Sequence, residues 1–148
     1  MVYGLEDRHV PTVPATPRMP TLSQALFQRE RAGFATFSAL PSNVLAVEAA
    51  LLFANGLSAF VALSGPSGWG KSHLLESAAQ MIAHERGARP MVQSALEIVA
   101  DRAKPDSPLP LLIDDAQVAL GSPRARQQLR LTLERRMRAG RPTLLSIT

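Results

Sequence analysis

The eight residues Gly65-Pro66-Ser67-Gly68-Trp69-Gly70-Lys71-Ser72 fit the pattern G-x-x-x-x-G-K-[ST] without a mismatch. By ordinary residue frequencies, about one chain in two hundred of this length would carry such a string by chance. The chemistry it offers is phosphate binding. Consecutive backbone N–H groups and the start of the following helix surround phosphate oxygens, and glycine lets the backbone approach them closely. Pro66, Ser67, Gly68, Trp69 and Gly70 form the cradle, Lys71 reaches the β- and γ-phosphates, and the Ser72 hydroxyl holds Mg²⁺. A serine-hydrolase elbow, G-x-S-x-G, is excluded because Trp69 stands where its second glycine would be.

A second chemical signal lies some forty residues downstream, where Leu111-Leu112-Ile113-Asp114-Asp115 is an apolar strand ending in two carboxylates. Alone, an acid at a strand end is often only a helix cap. After a phosphate loop, it is where a P-loop NTPase places its second Mg²⁺ contact. Asp114 is then the metal-side carboxylate, and Asp115, one residue beyond the strand, orients or polarises an attacking water.

These residues need a scaffold that brings the ends of several strands together. The pattern from residue 42 onward alternates helix-like and strand-like segments, which predicts an α/β domain with a mainly parallel sheet. Ser42 or Asn43 caps a helix over Val44–Ala54 that stops at Gly56, and Ala59–Ser64 reads as a short buried strand. A helix from Lys71 to Arg86 carries Leu74, Leu75, Ala78 and Ile82 at helical spacing and stops at Gly87. Pro90–Gln93 is a second strand, 94–102 a short helix, 104–110 a proline-rich loop, and Leu111–Asp114 a third strand. Ser122 caps a helix over Pro123–Arg138 closed by Gly140, and Thr143–Thr148 is the last strand.

Composition narrows the remaining classes. With 148 residues, 46% hydrophobic and 19% charged, the chain is an ordinary folded domain rather than a disordered, collagenous or coiled-coil one. The absence of cysteine removes disulfide scaffolds, thiol catalysis and cysteine-ligated zinc, and three scattered histidines make no metal cluster by spacing. No signal peptide opens the chain, and the apolar stretch 45–63 is interrupted by Glu48, Asn55 and Gly56, so a cytoplasmic protein without a membrane span is expected.

The runs LSGPSGWGKSHLL and LLIDDAQ resemble the bacterial chromosomal replication initiator (DnaA) branch of the AAA+ ATPases, with His73 and Gln117 as the specific touches. Phe37, followed by Ser42-Asn43 opening an alanine-rich helix, is similar to that family's adenine-side motif. The resemblance covers about residues 34–148. It implies a P-loop NTPase fold of AAA+ type, binding of ATP or ADP with Mg²⁺ and a role in or around replication initiation. His73 and Asn43 join the nucleotide-binding set, and Thr148 (or Ser146) becomes the sensor-1 residue of the catalytic set, beside Asp115. Residues 1–20 are a proline-rich leader, and 21–148 an incomplete AAA+ core. The sequence stops where the family's sensor-1 strand ends, so the downstream arginine finger, fifth strand and helical lid fall outside it, and slow hydrolysis at most is expected. The first strand would then lie at a bare sheet edge if the strand order follows the family's 5-1-4-3-2. The family's paired helices that engage single-stranded DNA are replaced by one short helix and a loop, so direct DNA melting is not implied.

Two features keep more than one reading. Residues 119–148 hold seven arginines and one glutamate, while the preceding 118 residues carry a net charge of −2. Arg124, Arg126, Arg130, Arg135, Arg136 and Arg138 on one helix read as a solvated face, as a contact with another AAA+ subunit or replication protein, or as a DNA-binding region extending to Arg141. Prolines 11, 14, 17 and 20 repeat every three residues, the period of a polyproline II helix, either as a stiff spacer or as a docking ligand. A non-hydrolysing nucleotide-binding adaptor and a helicase-loader-type ATPase share these motifs.

Overall fold

The apolar segment after the glycine turn at Gly56 forms strand β1 (Phe60–Ser64), and the glycine loop that follows feeds helix α2 (Lys71–Arg86). These elements belong to a computed structural model that describes residues 33–34, 37–100 and 107–148. Helix α1 (Val44–Ala54) precedes β1. After α2 come β2 (Met91–Ser94), the short helix α3 (Ala95–Val99), β3 (Leu111–Asp114), a 3-10 helix (Ala116–Gly121), α4 (Pro123–Arg138) and β4 (Thr143–Ile147). The proline-rich leader, the end of the predicted 94–102 helix (101–102) and residues 104–106 of the proline-rich loop lie outside the described residues.

The four strands pair in the order β1-β4-β3-β2, all parallel. Parallel neighbours need crossover connections, and the helices between the strands provide them on both faces. One face packs Val61, Leu63, Leu112 and Leu144 against α1 and α2, where Ala78 and Ala79 allow close approach. The other packs Leu111, Ile113 and Leu145 against α3, α4 and the 3-10 helix through Ile98, Ala119, Ala125 and Leu129. Because all strands run the same way, their C-terminal ends share one edge of the sheet. In open α/β sheets that edge, at the point where strand order reverses, is where ligands bind.

The helix ends follow the chemistry of their residues. Gly56 (φ 74°) and Gly140 (φ 62°) adopt the left-handed conformation just past α1 and α4. There they complete Schellman caps, with Leu57 N–H donating to Leu52 O and Arg141 N–H to Arg136 O. The Ser122 hydroxyl accepts from Ala125 N–H at the start of α4. Ser94 ends β2 and caps α3 in a capping box with Glu97.

Several details depart from expectation. β1 is not buried on both sides: Val61 and Leu63 point into the core, whereas Phe60, Ala62 and Ser64 are exposed. It lies at an edge of the described sheet, and only the face under α1 and α2 is covered. β2 begins at Met91 rather than Pro90, whose nitrogen cannot donate to the ladder. Asn43 stands at the N-cap of α1 without capping it; its Oδ1 accepts from Leu40 N–H and its Nδ2 donates to Ser38 O, so it fastens the preceding turn. Among the described residues no helix is long and apolar enough to cross a membrane.

Candidate functional site

The glycine loop leaves β1 at the strand's C-terminal end, and its first residue is tied to the neighbouring strand by Gly65 N–H donating to Ile147 O at 3.2 Å. Gly68 and Gly70 both take φ 81°, a region where a side chain is strained. At Gly70 there is a second reason for glycine: a Cβ would stand 2.5 Å from Cε2 of Phe37. The Phe37 ring therefore lies directly on the loop. It also stacks on His73, with centroids 5.6 Å apart and planes at 25°. The sequence-predicted nucleotide residues Phe37, Gly70 and His73 are thus brought together on one side of the loop.

Lys71 is largely buried, and its ammonium donates to Gly65 O at 2.6 Å and Pro66 O at 2.8 Å. The loop is thereby curled around a cation, with its next residues forming the first turn of α2, where Leu74 N–H reaches Gly70 O. The first-turn N–H groups of a helix beside an ammonium are an arrangement that suits an anion. Pro66, Ser67, Gly68, Trp69, Ser72 and His73 are exposed around it. Trp69, 47% exposed, lies near Gly65.

The two carboxylates emerge from β3 on the same edge of the sheet. Asp114 Oδ1 accepts from the Ser146 hydroxyl at 2.5 Å and from Asp115 N–H at 3.1 Å. Asp115 has φ 53°, the one positive φ outside glycine among the described residues. Its strain is offset by a second bond from its N–H to Ser146 Oγ at 2.9 Å and by the tolerance of aspartate for this conformation. The turn starts the 3-10 helix, and Gln117 reaches back from it: Nε2 donates to Asp115 Oδ1 and Oε1 accepts from Thr148 N–H, both at 3.0 Å.

Of the two sensor-1 candidates, Ser146 is fully buried and touches both aspartates. Thr148 sits exposed at the strand's end and connects to Asp115 only through Gln117. Asn43 lies at the start of α1 and holds its own turn. A hydroxyl at Ser72 and a carboxylate at Asp114 are hard oxygen donors that suit a hydrated Mg²⁺, which takes few protein ligands and keeps waters and substrate phosphates. Among the described residues no group of three or more acidic, histidine or cysteine side chains could hold a metal by itself.

One arginine of the basic helix does not belong to a solvated face. Arg136 is 1% exposed and donates to Thr143 Oγ1 and to the carbonyls of Ser107, Leu109 and Pro142. It joins the loop before β3 to the turn before β4 at the edge opposite the phosphate loop. The spacing of Ala125, Leu129, Thr132 and Arg136, all buried, places it on the inward stripe of α4. Arg124, Arg126, Arg130, Arg135 and Arg138 are exposed.

No protein-family model and no curated protein matches the sequence, whereas solved structures do. Domain III of the Thermotoga maritima replication initiation protein DnaA aligns with a TM-score of 0.67 and 25% identity, over 77% of this chain and 55% of that one. A replication initiator DnaA bound to AMPPCP and single-stranded DNA aligns with a TM-score of 0.66 and 21% identity, over 82% and 43%. The DnaC helicase loader aligns with a TM-score of 0.63 and 19% identity, over 79% and 76%. The chain thus has a DnaA-like AAA+ fold, and spans about half the length of the DnaA structures it matches.

Proposed function

We propose that this chain binds ATP or ADP at the C-terminal edge of its sheet and serves as a DnaA-like AAA+ module in, or in the regulation of, DNA replication initiation in the cytoplasm. The observation that carries the reading is the phosphate loop itself, curled around the Lys71 ammonium and placed on the sheet edge that also bears Asp114 and Asp115. Lys71, the loop N–H groups and the start of α2 bind the phosphates, and the Phe37–His73 stack offers an apolar face beside them. Ser72 and Asp114 would hold Mg²⁺, which when bound would neutralise phosphate charge. Asp115 orients the water, and Ser146 and Thr148 complete the catalytic edge.

Support for nucleotide comes also from the similar DnaA structure that contains AMPPCP. The chain's partners are a second AAA+ subunit or a replication protein. Single-stranded DNA, present in one of the similar structures, would meet the exposed arginines of α4 in the Arg124–Arg141 region. Helicase loading is the second reading, favoured by the alignment with the DnaC loader over 76% of that chain.

Phosphate release from excess Mg·ATP by the purified protein tests the catalytic half of the proposal. Slow release abolished by Asp115→Asn is expected; release unaffected by Asp115→Asn contradicts the assigned role, and no release with intact binding leaves a nucleotide-binding adaptor.

A further inference from the structure

The Asp115 carboxylate and the Thr148 N–H just past β4 are joined through one side-chain amide. Gln117 Nε2 donates to Asp115 Oδ1 and Gln117 Oε1 accepts from Thr148 N–H, each at 3.0 Å. A side-chain amide satisfies both ends at once, since it presents a donor and an acceptor on one plane. A carboxylate in its place would put two like charges together, and a shorter side chain would reach neither. Among the described residues, the bridge is the one hydrogen bond from the Asp115 carboxylate to another side chain. Asp115 N–H is fixed by Ser146 Oγ and Asp114 Oδ1. Its carboxylate is steered by Gln117 alone among the described residues.

We infer that Gln117 is a positioning residue, which aims the Asp115 carboxylate at the attacking water and makes that aim depend on where the end of β4 lies. The inference rests on the proposed ATP hydrolysis. It assigns to Gln117 no contact with nucleotide. The left-handed turn at Asp115 makes the arrangement available, because it opens the 3-10 helix that turns Gln117 back toward the acid. If the end of β4 moves when the γ-phosphate is present, Thr148 pulls on the amide and the amide turns the carboxylate. Misaiming of a water-orienting group by about an ångström costs on the order of 100-fold in rate.

Two variants and two readouts test this in the full chain. In Q117A, the single-turnover rate with Mg·ATP should fall ~10- to 100-fold while the Kd for ATP stays within about twofold, the signature of an interaction made only in the reacting state. Q117E keeps the acceptor for Thr148 but faces Asp115 with a second carboxylate. With the donor to Asp115 lost and a like charge in its place, the Q117E rate should fall at least as far as that of Q117A. Independently of turnover, hydrogen exchange at the Thr148 amide of the nucleotide-free protein should speed up at least ~5-fold in Q117A. Unchanged Thr148 exchange overturns the bridge. A Q117A rate within about twofold of wild type, where Asp115→Asn stops turnover, overturns the positioning role. So does a loss of ATP affinity equal to the loss of rate. If wild type and Asp115→Asn alike release no phosphate, it is the hydrolysis that fails, and Thr148 exchange still decides the bridge.

Discussion

The Ser146 hydroxyl donates to Asp114 Oδ1 at 2.5 Å, joining the C-terminal end of β4 to the acidic end of β3. The same oxygen accepts from Asp115 N–H, so one buried hydroxyl fixes the Asp114 carboxylate and supports a left-handed backbone turn. Ser146→Ala removes a donor and an acceptor from a fully buried position. Unfolding in urea should show a loss of about 1–3 kcal/mol, and a variant as stable as wild type contradicts the assignment.

Gly70 is constrained twice, by φ 81° and by the Phe37 ring over it. Gly70→Ala should cost about 1–2 kcal/mol from the left-handed conformation alone, together with displacement of the ring. A double-mutant cycle with Phe37→Ala separates the two: the clash is relieved in the double variant and the backbone strain is not. Additive effects would mean that the ring does not press on the loop.

Arg136 is a structural residue in a helix rich in exposed arginines. Arg136→Met removes the guanidinium that donates to the carbonyls of Ser107, Leu109 and Pro142 at a site that is 1% exposed. A destabilisation of about 3 kcal/mol or more is expected in denaturant unfolding. Arg136→Lys should recover only part of it, because an ammonium cannot reproduce the guanidinium fork. Arg124→Ala and Arg126→Ala, on the exposed face, should leave the unfolding midpoint unchanged.

The difference between Arg136 and its neighbours was legible in the spacing of α4. Positions 125, 129, 132 and 136 form one stripe, yet the density of arginine along the helix hides which member of it turns inward. The boundaries of α1, α2 and α4 follow from glycine stops and periodic apolar residues, and the structure keeps all three as read. β1 misleads because an apolar run does not say whether both faces are covered, which depends on how far α4 extends over the sheet. The Asn43 side chain misleads for a local reason: an asparagine before a helix can bond backward to its own turn as well as forward to the helix. The phosphate loop and the paired aspartates stand out as strings. The Gln117 bridge does not, because it depends on the turn at Asp115 and on the register of β4 beside β3.

Glu134 lies beside Arg130 on the solvent side of α4, and the hydrogen bond from Arg130, then its charge, hold the carboxyl below its ordinary value. A lowered folded-state value stabilises the fold above the carboxylate range, and that contribution is lost as pH falls through the folded value. Both side chains reach solvent, which screens the pair. Thermal midpoints of wild type and Glu134→Gln should coincide in acid, differ slightly at neutral pH with wild type higher, and converge again in high salt. A gap that persists in acid would assign Glu134 a different role.

Nucleotide binding is tested most directly by titrating ATP and ADP, with Mg²⁺, into the protein while following Trp69 fluorescence and the heat of binding, with Lys71→Ala alongside. Phosphates entering the loop must take the Lys71 ammonium from the carbonyls of Gly65 and Pro66, beside the only tryptophan. Saturable binding of both nucleotides well below about 1 mM, lost in Lys71→Ala, is the expected result. No heat and no fluorescence change from a folded protein would contradict it, and would leave the loop a fold element without a ligand.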